Sequence, residues 1–220
     1  MRTVLFDLDG TLTDSGPGIT ACIRHAMTQM GRDAPDSETL HWCIGPPLSA
    51  SFAKLLSTDD PAMLAQAVSH YRSRFATTGF LENAVYDGVV DMLERVREQR
   101  YRMHLVTAKP LPYATKIVEH FDLRRFFDGL YGSGMDGTHG DKTELISHVL
   151  SQEHLTARDT VMVGDREHDV IGSAHCGIGC IGVSYGYGTA AELRGSRAIA
   201  ARPGDIPGLL AAYFETPGKP

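Results

Sequence analysis

Cysteine, positive charge and long apolar runs are all scarce in this chain of 220 residues. Its four cysteines, Cys22, Cys43, Cys176 and Cys180, are too few for a disulfide scaffold at this length, and none forms a C-x-x-C pair. Near Met1 the apolar run Val4-Leu5-Phe6 is broken by Asp7 and Asp9, with no small-residue cleavage site behind it. The chain is therefore expected to be cytoplasmic, with reduced thiols. No apolar stretch approaches the roughly 20 residues that span a bilayer, so no membrane partner is expected. Lys and Arg number 21 against 27 Asp and Glu, a net charge of −6 with histidine neutral. Such a chain is not built to neutralise a phosphate backbone, which argues against nucleic acid as a partner.

What is present is a globular composition. Apolar residues make up 42% and charged residues 22%, close to the soluble average, which excludes disorder, coiled coil and collagen. The length suggests one to two domains and a core that needs no disulfide or metal to fold. Short β-rich apolar runs recur at Arg2–Phe6, Met103–Val106, Thr160–Val163 and Cys180–Val183. Helical spacing lies between them. It is clear at Val89, Met92, Leu93 and Val96, and weaker at Leu145, His148, Val149 and Gln152. Strands alternating with helices predict a parallel sheet covered on both faces. From Ser15 to about Gly79 no β-rich run appears. That segment reads as helices near Ile19–Met30, Leu48–Leu56 and Met63–Phe75, a separate lobe with glycines at both junctions as hinges. No internal repeat is visible. The tail is expected to fray beyond Phe214.

Three of the strand ends carry charged or hydroxyl groups: Asp7 and Asp9, then Thr107, then Asp165 with Asp169 shortly beyond. Lys142 stands at the start of another helix, in Gly140-Asp141-Lys142-Thr143. Ligands of open parallel sheets bind at the carboxyl ends of the strands. In that fold these distant residues converge. Carboxylates gathered at one place repel and raise one another's pKa. A divalent cation resolves the conflict, and carboxylate and carbonyl oxygens suit Mg²⁺, which favours substrate phosphate. A lysine and a hydroxyl facing the same point can hold the remaining phosphate oxygens, an arrangement suited to phosphoryl transfer.

Asp7-Leu8-Asp9-Gly10-Thr11-Leu12 resembles the first motif of the haloacid dehalogenase superfamily. Leu105-Val106-Thr107 resembles the second, Lys142 the third, and Gly164-Asp165-Arg166-Glu167-His168-Asp169 the fourth. The helical segment is similar to the small cap of the phosphoglycolate phosphatase and 5′-nucleotidase-like subgroup. The resemblance covers nearly the whole chain. It implies an α/β fold, a doubly wound parallel sheet from residues 1–14 and 80–220, with a helical cap inserted at 15–79. It also implies a Mg²⁺-dependent phosphatase of small-molecule phosphate monoesters. Asp7 would be the nucleophile that becomes an aspartyl phosphate. Asp9 would protonate the leaving oxygen and then deprotonate the attacking water. Asp7, the Asp9 carbonyl and Asp165 would hold the metal, with Asp169 a further ligand or an outer partner. Thr107, the Ala108 N–H and Lys142 would hold the phosphate. Dehalogenase members lack an aspartate at the Asp9 place, so its presence favours phosphate esters over carbon–halogen bonds.

Each residue also has a plainer reading. Asp7 and Asp9 could cap a turn, and Thr107 could be the N-cap of the next helix. Lys142 taken alone is a solvated lysine; Lys109, before a proline, could face the site, but exposure at the surface is the favoured expectation. His139, His168 and His175 match no zinc spacing. Cys176 and Cys180 read as small buried hydrophobes, and Trp42 as packing within the cap. Ile44–Leu48, which includes Gly45, resembles the cap loop that sets specificity. Within the resemblance, Ile171-Gly172-Ser173-Ala174 and Ser184-Tyr185-Gly186-Tyr187-Gly188 lean toward the 5′-nucleotidase-like branch, with phosphoglycolate phosphatase and a sugar-phosphate mutase as alternatives. A receiver-like phospho-acceptor is the alternative from another class. Receivers use similar residues around Mg²⁺ but are shorter and lack the helical insert.

Overall fold

Thr3–Phe6 contains no exposed residue, and a strand buried on both faces needs a neighbour on each edge. In the computed structural model, which describes residues 1–215, β1 (Thr3–Phe6) has them. The further strands are β2 (Thr13–Asp14), β3 (Ala84–Val85), β4 (Arg102–Pro110), β5 (Gly129–Ser133), β6 (Thr160–Gly164), β7 (Gly179–Val183) and β8 (Ala198–Ala200). β2 and β3 pair in a small sheet of their own. The others form one six-stranded sheet in the order β5-β4-β1-β6-β7-β8, with parallel pairing throughout. The chain steps outward from β1 to β4 and β5, then returns to the other side of β1 for β6, β7 and β8. The reversal lies between β1 and β6, and their carboxyl ends open the crevice of a doubly wound sheet.

The described residues form two compact units. One contains Met1–Thr13 and the chain from Val85 on; the other is Asp14–Ala84. In the first, the helices are α4 (Val89–Glu98), α5 (Leu111–His120), α6 (Lys142–Gln152), α7 (Glu167–His175) and α8 (Ile206–Glu215), numbered after three in the second unit. Val89, Met92, Leu93 and Val96 are all buried, as the spacing requires. On α6 the buried face is Leu145, Ile146 and Val149, while His148 is half-buried and Gln152 exposed. The core joins Leu5, Val106 and Met162 of three neighbouring strands to that face and to Cys180, which acts as the small hydrophobe expected. The fraying expected beyond Phe214 concerns residues that, after Glu215, lie outside those described.

Four strands were not anticipated: the two-residue pair β2 and β3, and two strands of the large sheet. β5 has glycine at two of five positions, and β8 is three residues long with Ile199 exposed. β5 and β8 lie at the edges of the large sheet, where short, weakly apolar strands are the rule. β4 also outlasts the apolar run. It continues past Thr107 to Pro110, with a register shift against β5 between those residues.

The second unit holds α1 (Gly16–Gln29), α2 (Leu48–Leu56) and α3 (Pro61–Arg74), with α1 and α2 both packed on α3. Proline in the first turn starts α1 and α3, where its missing N–H costs nothing. The glycines expected as hinges have a packing reason of their own. A Cβ on Gly18 would sit 2.1 Å from the Gly79 carbonyl oxygen, and one on Gly79 would sit 2.4 Å from Cys22 Sγ. They let the two ends of the unit touch. Arg74 fastens the same corner with two bonds to Glu82, at 2.6 and 2.8 Å. Among the described residues no helix is long and apolar enough to cross a membrane.

Leu5→Ala should cost about 2–5 kcal/mol, because a fully buried strand residue would leave a cavity between β4 and β6. Urea unfolding should show a lower midpoint at unchanged slope. A loss below about 1 kcal/mol would contradict the central placement of β1.

Candidate active site

One residue past β1, the Asp7 N–H donates to the Val163 carbonyl at 3.0 Å, extending the β1–β6 ladder to the crevice. The chain then turns sharply. The N–H groups of Thr11, Leu12 and Thr13 all donate to the Leu8 carbonyl, at 3.2, 2.9 and 3.0 Å. Gly10 takes φ +78°, a left-handed value that favours glycine. It is also crowded, since a Cβ there would lie 2.2 Å from Asp165 Oδ2. Leu8 and Leu12 are fully buried and anchor the turn, so Asp7 and Asp9 are fixed at the strand end.

Asp7, Asp165 and Asp169 each offer a carboxylate oxygen within 4.8 Å of the others, and all three residues are buried. Lys142 Nζ lies 2.9 Å from Asp7 Oδ1 and 2.8 Å from Asp169 Oδ1. It also donates to the Val106 carbonyl at 3.0 Å. The Asp141 side chain caps α6 by accepting from Thr143 and Glu144 N–H, so the helix begins at Lys142 and delivers it to the crevice. Burial pushes Asp7 up to about 6 even though Lys142 works against the shift, and Asp169 and Asp9 add to it. Burial likewise holds Asp165 well above the usual carboxylate range, with the Asp7 and Asp169 charges adding. Burial disfavours the Lys142 ammonium too, but Asp169 and Asp7 outweigh it and hold the lysine above its ordinary value. The geometry suits these carboxylates to a hard divalent cation, because oxygen donors that repel one another are relieved by a shared positive charge.

Asp165 precedes α7 rather than lying on it, and Asp169 is in the helix's first turn. Asp169 Oδ2 accepts the Arg166 N–H at 3.1 Å, so its carboxylate is held from both sides. The segment after β7 closes over Asp165, a contribution that sequence reasoning did not identify. Tyr187 N–H donates to Asp165 Oδ2 at 2.8 Å, and the Tyr185 hydroxyl donates to the Thr11 carbonyl at 2.9 Å. A Cβ on Gly186 would meet the Gly10 carbonyl at 2.2 Å, and one on Gly188 the Asp165 carbonyl at 1.7 Å. Arg166 reaches Glu192 at 2.9 Å and pins the far end. The available signal was the alternation of glycine and tyrosine at 185–188.

Lys109 is a correction. Expected at the surface, it is nearly sealed, with its side chain 6% exposed and Nζ 2.9 Å from Asp9 Oδ2. The register shift after Thr107 re-aims the end of β4, as bulges do beside active sites. Gly132 makes room for it, since a Cβ there would lie 2.7 Å from the Lys109 carbonyl. Thr107 is buried but is not a helix N-cap, because α5 starts at Leu111 behind Pro110. Its hydroxyl accepts the Lys109 N–H at 3.2 Å. The Ala108 carbonyl accepts from Ser133 Oγ at 2.8 Å. Thr107 and Ala108 thus lie on β4 just past its pairing with β1, while Gly45 belongs to the other unit, at φ +104°. Ile44 is buried and Trp42 half-buried, with Lys54 Nζ 4.5 Å from the Trp42 ring centre. The histidines form no metal cluster among the described residues. His139 stacks on His148, and the His175 ring pairs with the Ile171 carbonyl.

A doubly wound sheet with buried carboxylates and a lysine at its switch point defines an α/β enzyme. The chain belongs to the haloacid dehalogenase-like hydrolases, whose family model matches residues 4–183. It is 44% identical over 191 residues to a 5′-nucleotidase of Pseudomonas aeruginosa, covering 87% of this chain and 86% of that protein. It is 35% identical over 189 residues to the tyrosine-protein kinase PtkA of Mycobacterium tuberculosis, covering 86% of this chain and 64% of that protein. A crystal structure described as a predicted phosphatase from Clostridium acetobutylicum superposes with a TM-score of 0.92 at 34% identity, over 96% of this chain and 98% of that one.

Gly10→Ala should lower stability by more than about 1 kcal/mol, since left-handed strain and the Asp165 clash combine. At this size that is a fall in Tm of about 2–4 °C per kcal/mol. Gly88→Ala is the control. It has φ +83° but nothing within 4 Å of its added Cβ, and should lose less. Equal losses would show that Asp165 does not press on Gly10.

Proposed function

We propose that this enzyme is a Mg²⁺-dependent phosphatase acting on small phosphate monoesters through an aspartyl phosphate on Asp7. The observation that carries the reading is the set of three buried carboxylates within 4.8 Å of one another, with Lys142 on Asp7. Four buried carboxylates, counting Asp9, face two lysines there, Lys142 and Lys109, and Arg166 is paired with Glu192. That imbalance fits a divalent cation held by the Asp7 carboxylate, the Asp9 carbonyl and Asp165. When bound, Mg²⁺ would supply positive charge for the phosphate oxygens. Asp169, already engaged by Lys142 and the Arg166 N–H, serves as an outer partner that steers the lysine.

The protein's own groups then divide the reaction. Lys142 fixes the Asp7 carboxylate, which attacks phosphorus. Thr107, the Ala108 N–H and Lys142 hold the transferred group. Asp9 gives a proton to the leaving oxygen, then takes one from the water that hydrolyses the aspartyl phosphate. A covalent intermediate splits one of the slowest uncatalysed hydrolyses into two easier steps. In this reading the helical segment is the cap and Gly45, with its loop, contacts substrate. The similarity to a 5′-nucleotidase at 44% identity supports nucleoside 5′-monophosphates as the substrate class.

The test is a panel of nucleoside 5′-monophosphates, phosphoglycolate and sugar phosphates, assayed for phosphate release with Mg²⁺ and with chelator. Release should be catalytic, require Mg²⁺ and favour the nucleotides. Asp7→Asn should abolish it, and Asp9→Asn should lower it by about 10²–10⁴-fold. Full turnover in Asp7→Asn would overturn the nucleophile. A single stoichiometric labelling with no sustained release would favour the receiver-like alternative.

A further inference from the structure

The two oxygens of Asp9 are in different circumstances. Oδ2 is 2.9 Å from Lys109 Nζ. Oδ1 is buried and has no hydrogen-bond partner among the described residues. The side chains are sealed alike, at 10% exposure for Asp9 and 6% for Lys109. A buried carboxylate oxygen without a donor is costly, and where one persists it calls for an explanation. The fold goes to some length to place the lysine. The strand shifts register between Thr107 and Pro110, the Thr107 hydroxyl receives the Lys109 N–H, and Gly132 clears space beneath the Lys109 carbonyl.

We propose, on the reading of Asp9 as the acid–base group, that Lys109 is its positioning residue. By donating to Oδ2, it reserves Oδ1 as the atom that carries the proton. An ammonium has three donors and no acceptor, so it can hold Oδ2 in both protonation states of Asp9. In one state Oδ2 is a carboxylate oxygen. In the other it is the carbonyl oxygen of an acid whose proton sits on Oδ1.

The steps balance atom by atom. An Asp7 oxygen bonds to phosphorus while the ester P–O bond breaks, and the Oδ1 proton moves to the departing oxygen to give the alcohol. The deprotonated Oδ1 then takes a proton from water as that water's oxygen bonds to phosphorus. The bond between Asp7 and phosphorus breaks, inorganic phosphate leaves, and both aspartates are restored. Without Lys109 the Asp9 carboxylate can rotate, and either oxygen can face the leaving group or turn away from it.

The test uses the full chain with Mg²⁺ and two substrates that differ in their need for a proton. One is whichever alkyl phosphate the enzyme turns over best, a nucleoside 5′-monophosphate or phosphoglycolate. The other is p-nitrophenyl phosphate, whose phenolate departs without protonation. The quantity read is kcat/KM, which covers events only as far as loss of the leaving group and so isolates the acid step from the later base step. Lys109→Met should lose about 100-fold or more on the alkyl phosphate and far less on p-nitrophenyl phosphate. Lys109→Arg, which keeps a donor, should recover much of the alkyl activity. A fraction of misfolded protein lowers both substrates by one factor and leaves their ratio untouched. Equal losses on both substrates would make Lys109 a phosphate contact or a structural residue and overturn the proposal, as would no loss on either. Absence of turnover in the wild type, or its survival in Asp7→Asn, would instead sink the phosphatase reading and this role with it.

Discussion

Like charges packed into a space that excludes water are the constraint to which the rest of this structure answers. Asp7 and the pair Asp165 and Asp169 come from two distant stretches of chain, yet their oxygens lie within 4.8 Å. Bare, such a cluster would protonate or push itself apart. Lys142 bridges two of its members, backbone N–H groups of Arg166 and Tyr187 each occupy a further oxygen, and Lys109 ties Asp9 beside them. Each of these donors depends on an element being in place: the cap of α6, the first turn of α7, the segment beyond β7, the bulge of β4. Local geometry and site electrostatics are in that sense one problem.

Much of the site was legible because its residues follow apolar strands. Thr3–Phe6 and Thr160–Gly164 are continuous buried runs, and the aspartates that end them stand out against the apolar background. Lys142 was legible only through its place in the resemblance, since a lysine opening a helix is ordinary. Lys109 was misjudged because burial there arises from a shift in strand register, which has no one-letter signature. β5 and β8 escaped notice because edge strands carry little apolar periodicity. Gly186 and Gly188 escaped because a glycine required by close approach reads the same as one in a loose turn. On α6 the true face substitutes Ile146 for His148, since burial rather than spacing alone decides which residues face the core.

The helical unit shows a related limit. Its junction glycines suggested torsional freedom, yet Gly18 and Gly79 are placed by contact with each other and with Cys22. Packing and hinge motion both call for small residues, and composition cannot separate them. The Arg74–Glu82 pair, bidentate and half-buried, belongs to the same corner and makes it firm.

The order of the strands has a consequence for biosynthesis. β1 leaves the ribosome before the other strands, but the neighbour on one of its edges, β6, is translated long after it, and the tyrosines that enclose Asp165 come later still. Until then the nascent chain holds an aspartate-tipped, largely apolar strand with an open side. A cell making this enzyme must shelter that half-built sheet, and the cation it is suited to hold has no finished seat until the segment beyond β7 has been made.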